Sequence, residues 1–143
     1  MRILWIIINV LFIAMFLMSV VVQYNDPDPV RWMAIYGLAL FACILELTRT
    51  PRWSFPAGIG LIALSWASSI MPKVHGVRIG DLFQQWEMKN EMVEQAREMG
   101  GLLIVSAWMI VLTVSAFRRA RAHSNAAAPQ HAPTRIDSTS SSG

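Results

Sequence analysis

Two short polar segments hold the side chains in this sequence that are best suited to chemistry. The first contains Asn25, Asp26 and Asp28, and the second contains Glu94, Arg97 and Glu98. Carboxylate and amide oxygens are the ligands that hard divalent cations prefer, and paired carboxylates can serve as acid and base. The candidate ligands of a divalent cation are therefore Asp26, Asp28, Glu94 and Glu98, whereas no residue is assigned a catalytic role.

Both segments also have a plainer interpretation. An Asp before a Pro is typical of a helix start, so Asp28–Pro29 predicts the start of a helix, with Asp26–Pro27 as the competing start. Glu94 and Glu98 continue a row of glutamates, at positions 87, 91, 94 and 98, that follows one helix face and can simply be solvated. The binding and the structural interpretation both remain open.

The amino-acid composition indicates whether the chain that carries these two polar segments is an ordinary soluble protein. The chain has 143 residues, of which 55% are apolar and only 15% charged, against about 25% charged in soluble domains. A disordered chain and an ordinary soluble domain are both disfavoured. With a single cysteine, the chain has no intrachain disulfide and no cysteine-based metal cage.

Four apolar segments approach the length of about 20 residues that crosses a bilayer as a helix. They cover residues 3–22, 30–47, 54–71 and 100–117. Backbone groups in lipid must be satisfied within the segment, which favours helices. The sequence therefore predicts an all-α fold, an integral membrane four-helix bundle.

The segment before the fourth span is predicted to be an outer amphipathic helix over residues 81–99. Asp81 and Gln84 form a capping pattern, and Leu82, Trp86 and Ala96 share one face. This helix is expected to lead into the fourth span. Residues 1–119 would form the membrane domain, and residues 120–143, which are rich in Ala, Ser, Thr and Pro, would form a disordered cytoplasmic tail.

Arginines predict the orientation of the bundle. Six of them flank three span ends on one side: Arg2, Arg49, Arg52, Arg118, Arg119 and Arg121. Cytoplasmic loops carry an excess of Lys and Arg, so both termini are predicted to be cytoplasmic, with residues 23–31 and 72–99 on the outer face. Trp5, Trp32, Trp53 and Trp108 are predicted to be interfacial anchors near span ends. The compact, cysteine-poor layout favours a bacterial inner membrane.

Few polar residues fall inside the spans, and Asn9 and Glu46 are the most informative of them. Asn9 is expected to bond to a neighbouring helix, because an unpaired amide is costly in lipid. Glu46 is a candidate functional acid, but an ion pair with Arg49 or a side chain that reaches the interface would also explain it. A face of small residues on the third span suits close helix packing and comprises Ala63, Ser65, Ala67, Ser68 and Ser69.

Residues 22–37, VQYNDPDPVRWMAIYG, resemble the transmembrane protein family 220 of small four-helix membrane proteins. The matching positions are Asn25, Asp26, Pro27, Asp28, Trp32 and Tyr36. Residues 94–104 resemble the family's start of the last span at Arg97, Glu98 and Gly101, and Glu46 matches a Glu near the end of its second span. The resemblance covers about residues 1–118. It implies the four-span topology and adds Trp32 and Tyr36 to the candidate ligand-binding residues, but it implies no reaction.

Two classes of function remain. The first is a non-enzymatic accessory or interaction protein that contacts the lipid bilayer and another membrane protein or a second copy of itself. The alternative is a membrane-embedded enzyme or binder of a divalent cation, a lipid headgroup or a small polar ligand. No cofactor is predicted beyond that cation, and the chain lacks the common catalytic motifs. Nucleic-acid binding is disfavoured, because the arginines lie in short clusters at span ends.

Overall fold

The computed structural model describes residues 2–25, 28–49, 52–74 and 91–127 as a bundle of helices. Its four α-helices are α1 (Arg2–Val22), α2 (Pro29–Leu47), α3 (Ser54–Ile70) and α4 (Glu91–Ala127). Single 3-10 turns follow α1 at Gln23–Asn25 and α3 at Met71–Val74. These four ranges contain no strand. The predicted all-α membrane four-helix bundle is confirmed.

The helix lengths suit a bilayer. The 21 residues of α1 extend about 32 Å at 1.5 Å per residue, close to the thickness of the hydrocarbon core. Within the described ranges α1, α2 and α4 are long and apolar enough to span a membrane, and α3, with 17 residues, is at the short limit. Asp28 occupies the N-cap position of α2 and Pro29 its first turn, as the Asp–Pro pattern predicts.

Helix α4 is much longer than a membrane span. Its 37 residues extend about 56 Å, so the helix projects beyond the hydrocarbon core. It includes residues 91–99 of the predicted outer helix and continues past residue 119, where the membrane domain was expected to end, to Ala127. Alanine and arginine favour helix, and extending an existing helix is easier than nucleating one. Residues 81–90 and 128–143 lie outside the described ranges.

The helices alternate in direction, so that four helix termini meet at each end of the bundle. Trp5 contacts Glu46, Glu46 contacts Arg119, and Trp53 contacts Phe117. The start of α1, the end of α2, the start of α3 and the end of α4 therefore lie together. We call this the basic end, because it carries Arg2, Arg49, Arg52, Arg118, Arg119 and Arg121. The other termini form the opposite end.

Small residues let α3 approach α4 closely. A Cβ atom built on Gly60 would lie 3.1 Å from the Cβ of Met109, and Ala63 and Ala67 are buried at the interface. The serines of the predicted small-residue face do not join them. Ser68 and Ser69 are exposed and donate hydrogen bonds to carbonyls of their own helix, so only the alanine part of that prediction holds.

Aromatic rings run through the interior from one end of the bundle toward the other. Successive ring centroids are 3.8 to 6.4 Å apart along the series Trp108, Phe12, Phe16, Tyr36, Trp32 and Trp66. Trp32 and Trp108 are only 3% and 7% exposed, so their prediction as interfacial anchors is wrong. Trp32 lies near a span end but faces the core, whereas Trp108 lies in the middle of the segment 100–117, too far from either end to be an anchor. Trp53, at 45% exposed, is placed as an anchor would be.

Tyr36 fixes the distance between α2 and α4 at the opposite end. A Cβ atom added to Gly101 would overlap the Tyr36 hydroxyl oxygen and would lie 3.4 Å from its Cζ. The ring cannot swing aside freely, because it stacks on Phe16 and Trp32. Gly101 therefore provides the space that the phenol occupies.

Replacing Gly101 tests this contact. Gly101→Ala should lower the free energy of unfolding in detergent by about 1–3 kcal/mol, the cost of overpacking a core. Adding Tyr36→Phe should restore much of the loss, since the hydroxyl is the atom in the way. Gly100→Ala is the matched control: nothing lies within 4 Å of its added Cβ, so it should be neutral or stabilising. Equal effects of the two glycine substitutions would refute the contact.

Candidate functional site

Glu46 is an acidic side chain buried among helices, in the last turn of α2 at the basic end. Its Oε1 accepts hydrogen bonds from Trp5 Nε1 at 3.1 Å and from Ser115 Oγ at 3.1 Å. Arg119 Nη1 donates to the same oxygen at 2.6 Å, and Arg119 Nη2 pairs with Oε2. The carboxylate thus accepts bonds from both α1 and α4. We call Glu46, Arg119, Ser115 and Trp5 the Glu46 cluster.

Glu46 forms its ion pair with Arg119 and not with Arg49, so the Glu46–Arg49 ion pair that the sequence suggested is wrong. Helix α2 ends at Leu47, and Arg49 has a φ of 58°, which takes it out of the helical path. Its backbone N–H, rather than its side chain, bonds to the carbonyl oxygen of Glu46 at 3.1 Å. Arg119 lies one turn beyond Ser115 on α4 and also donates to the Ser115 hydroxyl at 2.8 Å.

This geometry favours a structural role for the Glu46 cluster. A charged group in hydrocarbon is expensive unless it is paired, and here the two-pronged guanidinium meets both carboxylate oxygens. The side chain of Glu46 is 5% exposed and that of Arg119 is 27% exposed. Both oxygens of the acid are therefore occupied by protein donors, which leaves it poorly placed to act on a substrate.

Asn9 is the second intramembrane polar residue, and it joins α1 to α2. Its Nδ2 donates to the carbonyl oxygen of Cys43 at 2.8 Å, the neighbouring-helix bond that the sequence predicts. Trp108 Nε1 donates to Cys43 Sγ at 3.3 Å from the α4 side. Asn9 is fully buried, and its Oδ1 has no partner among the described residues. These contacts extend the polar link between α1, α2 and α4 by about one turn from the basic end.

At the opposite end, Asp28 of the Asn–Asp–Pro–Asp segment is exposed. Asp28 makes no side-chain capping bond and instead pairs with Arg31 at 3.5 Å, with the two side chains 66% and 72% exposed. Such an exposed pair contributes only about 0–1 kcal/mol. Asn25 lies in the 3-10 turn after α1, whereas Asp26 lies outside the described residues.

Tyr36 and Glu98 come together, and both were singled out from the sequence. Glu98 lies one helical turn before Gly101 on α4, and the Tyr36 hydroxyl lies against Gly101. Tyr36 also stacks beside Trp32, which in turn stacks on Trp66 at 4.6 Å. Three of the candidate ligand-binding residues therefore share one region between α2 and α4.

Glu94 and Arg97 are exposed on α4 at the same end, and Glu98 is half-buried. The sequence also suggests that Arg97 pairs with Asp26 or Asp28 across the mouth of the bundle, and this stays a prediction. In the ranges that the structure covers, no group of three or more His, Cys, Asp or Glu side chains is arranged to hold a metal ion. Of the four candidate cation ligands, Asp28, Glu94 and Glu98 fall in those ranges.

The sequence profile described as "Transmembrane family 220, helix" matches residues 15–114 of this chain. The chain belongs to this family. This membership agrees with the resemblance carried by residues 22–37 and 94–104. It also supports the prediction that the chain is an integral membrane protein. The matched region contains Glu46. It ends at Val114, so Ser115 and Arg119 lie beyond it.

A relative within transmembrane family 220 gives a second match. Transmembrane protein 220 of Xenopus laevis is 30% identical over 114 residues, which are 76% of this chain and 58% of the relative. The chain thus spans less than two thirds of that protein. Because the relative is eukaryotic, it gives no support to the bacterial inner membrane, which stays a prediction. No solved structure matches the chain.

Removing single donors from this family member tests the Glu46 cluster. Trp5→Phe and Ser115→Ala should each lower the free energy of unfolding by about 1–2 kcal/mol, because each leaves a charged acceptor one bond short. Phe keeps the ring that stacks near Trp108. Trp53→Phe and Ser68→Ala are matched controls and should have small effects, since neither side chain bonds to Glu46. Losses no larger than the controls would show that the cluster is not a stabilising unit.

Proposed function

We propose that this protein is a non-enzymatic accessory protein that binds a partner membrane protein through its opposite end. The observation that carries the proposal is the contrast between the two ends. At the basic end the buried acid is fully engaged by Arg119, Ser115 and Trp5. At the opposite end Tyr24 and the Asp28–Arg31 pair are exposed, so that another protein can contact them.

The exposed surface at the opposite end has the composition of a contact surface. Tyr24 is 80% exposed and Val30 77% exposed, next to the Asp28–Arg31 pair. Aromatic residues and arginine are enriched in protein–protein interfaces. An exposed ion pair can exchange its partners for charges on another protein without loss of fold stability.

The alternative is a binder or enzyme for a divalent cation, a lipid headgroup or a small polar ligand at the same end. It is favoured by the half-buried Glu98 beside Tyr36, with Asp28 and Glu94 as further oxygen donors. Asp26 and Arg97 would complete such a site. This alternative predicts that a ligand stabilises the purified protein and that carboxylate-to-amide changes remove the effect.

Site-specific photo-crosslinking separates the two. A photoreactive amino acid replacing Tyr24 should give a discrete adduct of higher mass in cells, whereas the same group replacing Leu61, which is exposed in the middle of α3, should not. Asp28→Asn with Arg31→Gln should weaken the adduct and leave the melting temperature unchanged. No adduct at position 24, together with a melting temperature raised by Ca²⁺, Mg²⁺, Mn²⁺ or Zn²⁺ in wild type but not in Asp28→Asn or Glu98→Gln, would favour the alternative.

The proposal includes an orientation with both termini in the cytoplasm, supported by the arginines at the basic end. Val30→Cys should react with an impermeant maleimide in intact cells, whereas Ser124→Cys should react only after permeabilisation. The native Cys43 is buried and should contribute little labelling. Labelling of Ser124→Cys in intact cells would reverse the orientation.

A further inference from the structure

The basic end carries positive charge that no side chain in the described ranges neutralises. Glu46 is the only acidic side chain described there, and it is bound by Arg119. The other five arginines form no ion pair with any residue in the described ranges: Arg2, Arg49, Arg52, Arg118 and Arg121. Orientation by the positive-inside rule accounts for their side of the membrane but not for how their side chains are arranged.

One of these arginines is held beside an aromatic pair, and another directly precedes that pair in the chain. The Arg121 guanidinium lies over the Phe117 ring, with its Cζ 5.4 Å from the ring centroid. Phe117 in turn meets Trp53 edge to face at 5.7 Å, and Arg52 directly precedes Trp53. The pair links the start of α3 to the end of α4. Half-exposed Trp is enriched at the level of lipid headgroups, so the neighbouring guanidiniums are positioned at that level too.

Arg49 adds a further cation at the same end. It adopts a left-handed conformation, with φ 58°, at the turn that ends α2. Glycine is the usual residue in such a conformation, because other side chains incur a steric cost there. Arg49 and Arg52 therefore lie on the link between α2 and α3, on the same end of the bundle as Arg118 and Arg121.

We infer that the basic end binds the headgroup phosphates of anionic phospholipids through Arg52, Arg118 and Arg121 around the Trp53–Phe117 pair, with Arg49 as a further contact. Guanidinium matches phosphate oxygens in a two-pronged geometry. Next to these arginines, on the side toward the middle of the bundle, the apolar side chains of Phe41 and Val114 are exposed. A lipid offers both the phosphate and the acyl chain that this combination fits, whereas free phosphate offers only the first.

The test uses the purified full-length protein in neutral detergent micelles mixed with phosphatidylglycerol or with phosphatidylcholine of the same acyl chains. Phosphatidylglycerol should raise the melting temperature more than phosphatidylcholine does. Arg118→Gln with Arg121→Gln, and separately Arg52→Gln, should lose most of that extra stabilisation. Arg31→Gln is the matched control, an exposed arginine at the opposite end, and should keep it.

Arg49→Gly separates lipid binding from fold stability. It removes a charge and also the strained backbone, so the melting temperature in phosphatidylcholine should be unchanged or higher while the phosphatidylglycerol effect falls. The inference is overturned if phosphatidylglycerol gives no advantage or if Arg31→Gln loses as much as the basic-end variants. It is also overturned if inorganic phosphate added to phosphatidylcholine micelles reproduces the stabilisation.

Discussion

A buried charge in a membrane protein must find its partner within the protein, and the pairing of Glu46 with Arg119 meets this constraint. The ion pair also recruits Trp5 from α1 and Ser115 from α4. One carboxylate therefore joins α1, α2 and α4 at the basic end. Helix α3 is attached through α4, by the close contact at Gly60 and by the Trp53–Phe117 pair. The arrangement of all four helices at this end depends on the pair.

The two ends of the bundle are held by different interactions. At the opposite end the helices are held together by packed aromatic rings, and the Tyr36 hydroxyl of α2 lies against Gly101 of α4. Charges there, such as Asp28 and Arg31, are exposed and contribute little to stability. Because the Glu46–Arg119 ion pair stabilises the basic end, the fold does not depend on the exposed charges at the opposite end. This is the physical basis of the proposed interaction surface.

The sequence predicted α1, α2 and α3 well because the length of their apolar segments determines them, whereas α4 extends beyond its apolar segment at both ends. Helix α2 starts at Pro29 as the Asp–Pro pattern indicates, and Asn9 bonds across to α2. It could not predict that Glu46 selects Arg119 over Arg49, since that choice depends on where α2 stops and how α4 is rotated. Trp32 likewise has the sequence position of an anchor but faces the core. Of the candidate site, the sequence identified Tyr36 and Glu98, whereas their proximity required the fold.

A double-mutant cycle on Glu46 and Arg119 measures the central interaction most directly. Arg119→Gln should reduce the free energy of unfolding in detergent by about 3–5 kcal/mol, because it leaves the buried Glu46 carboxylate without its ion pair. Glu46→Gln should cost less, because the Arg119 side chain that it leaves is 27% exposed. The double variant should lose much less than the sum. The same cycle on Asp28 and Arg31, the exposed pair, should show almost no coupling. Additive losses at Glu46 and Arg119 would contradict the account.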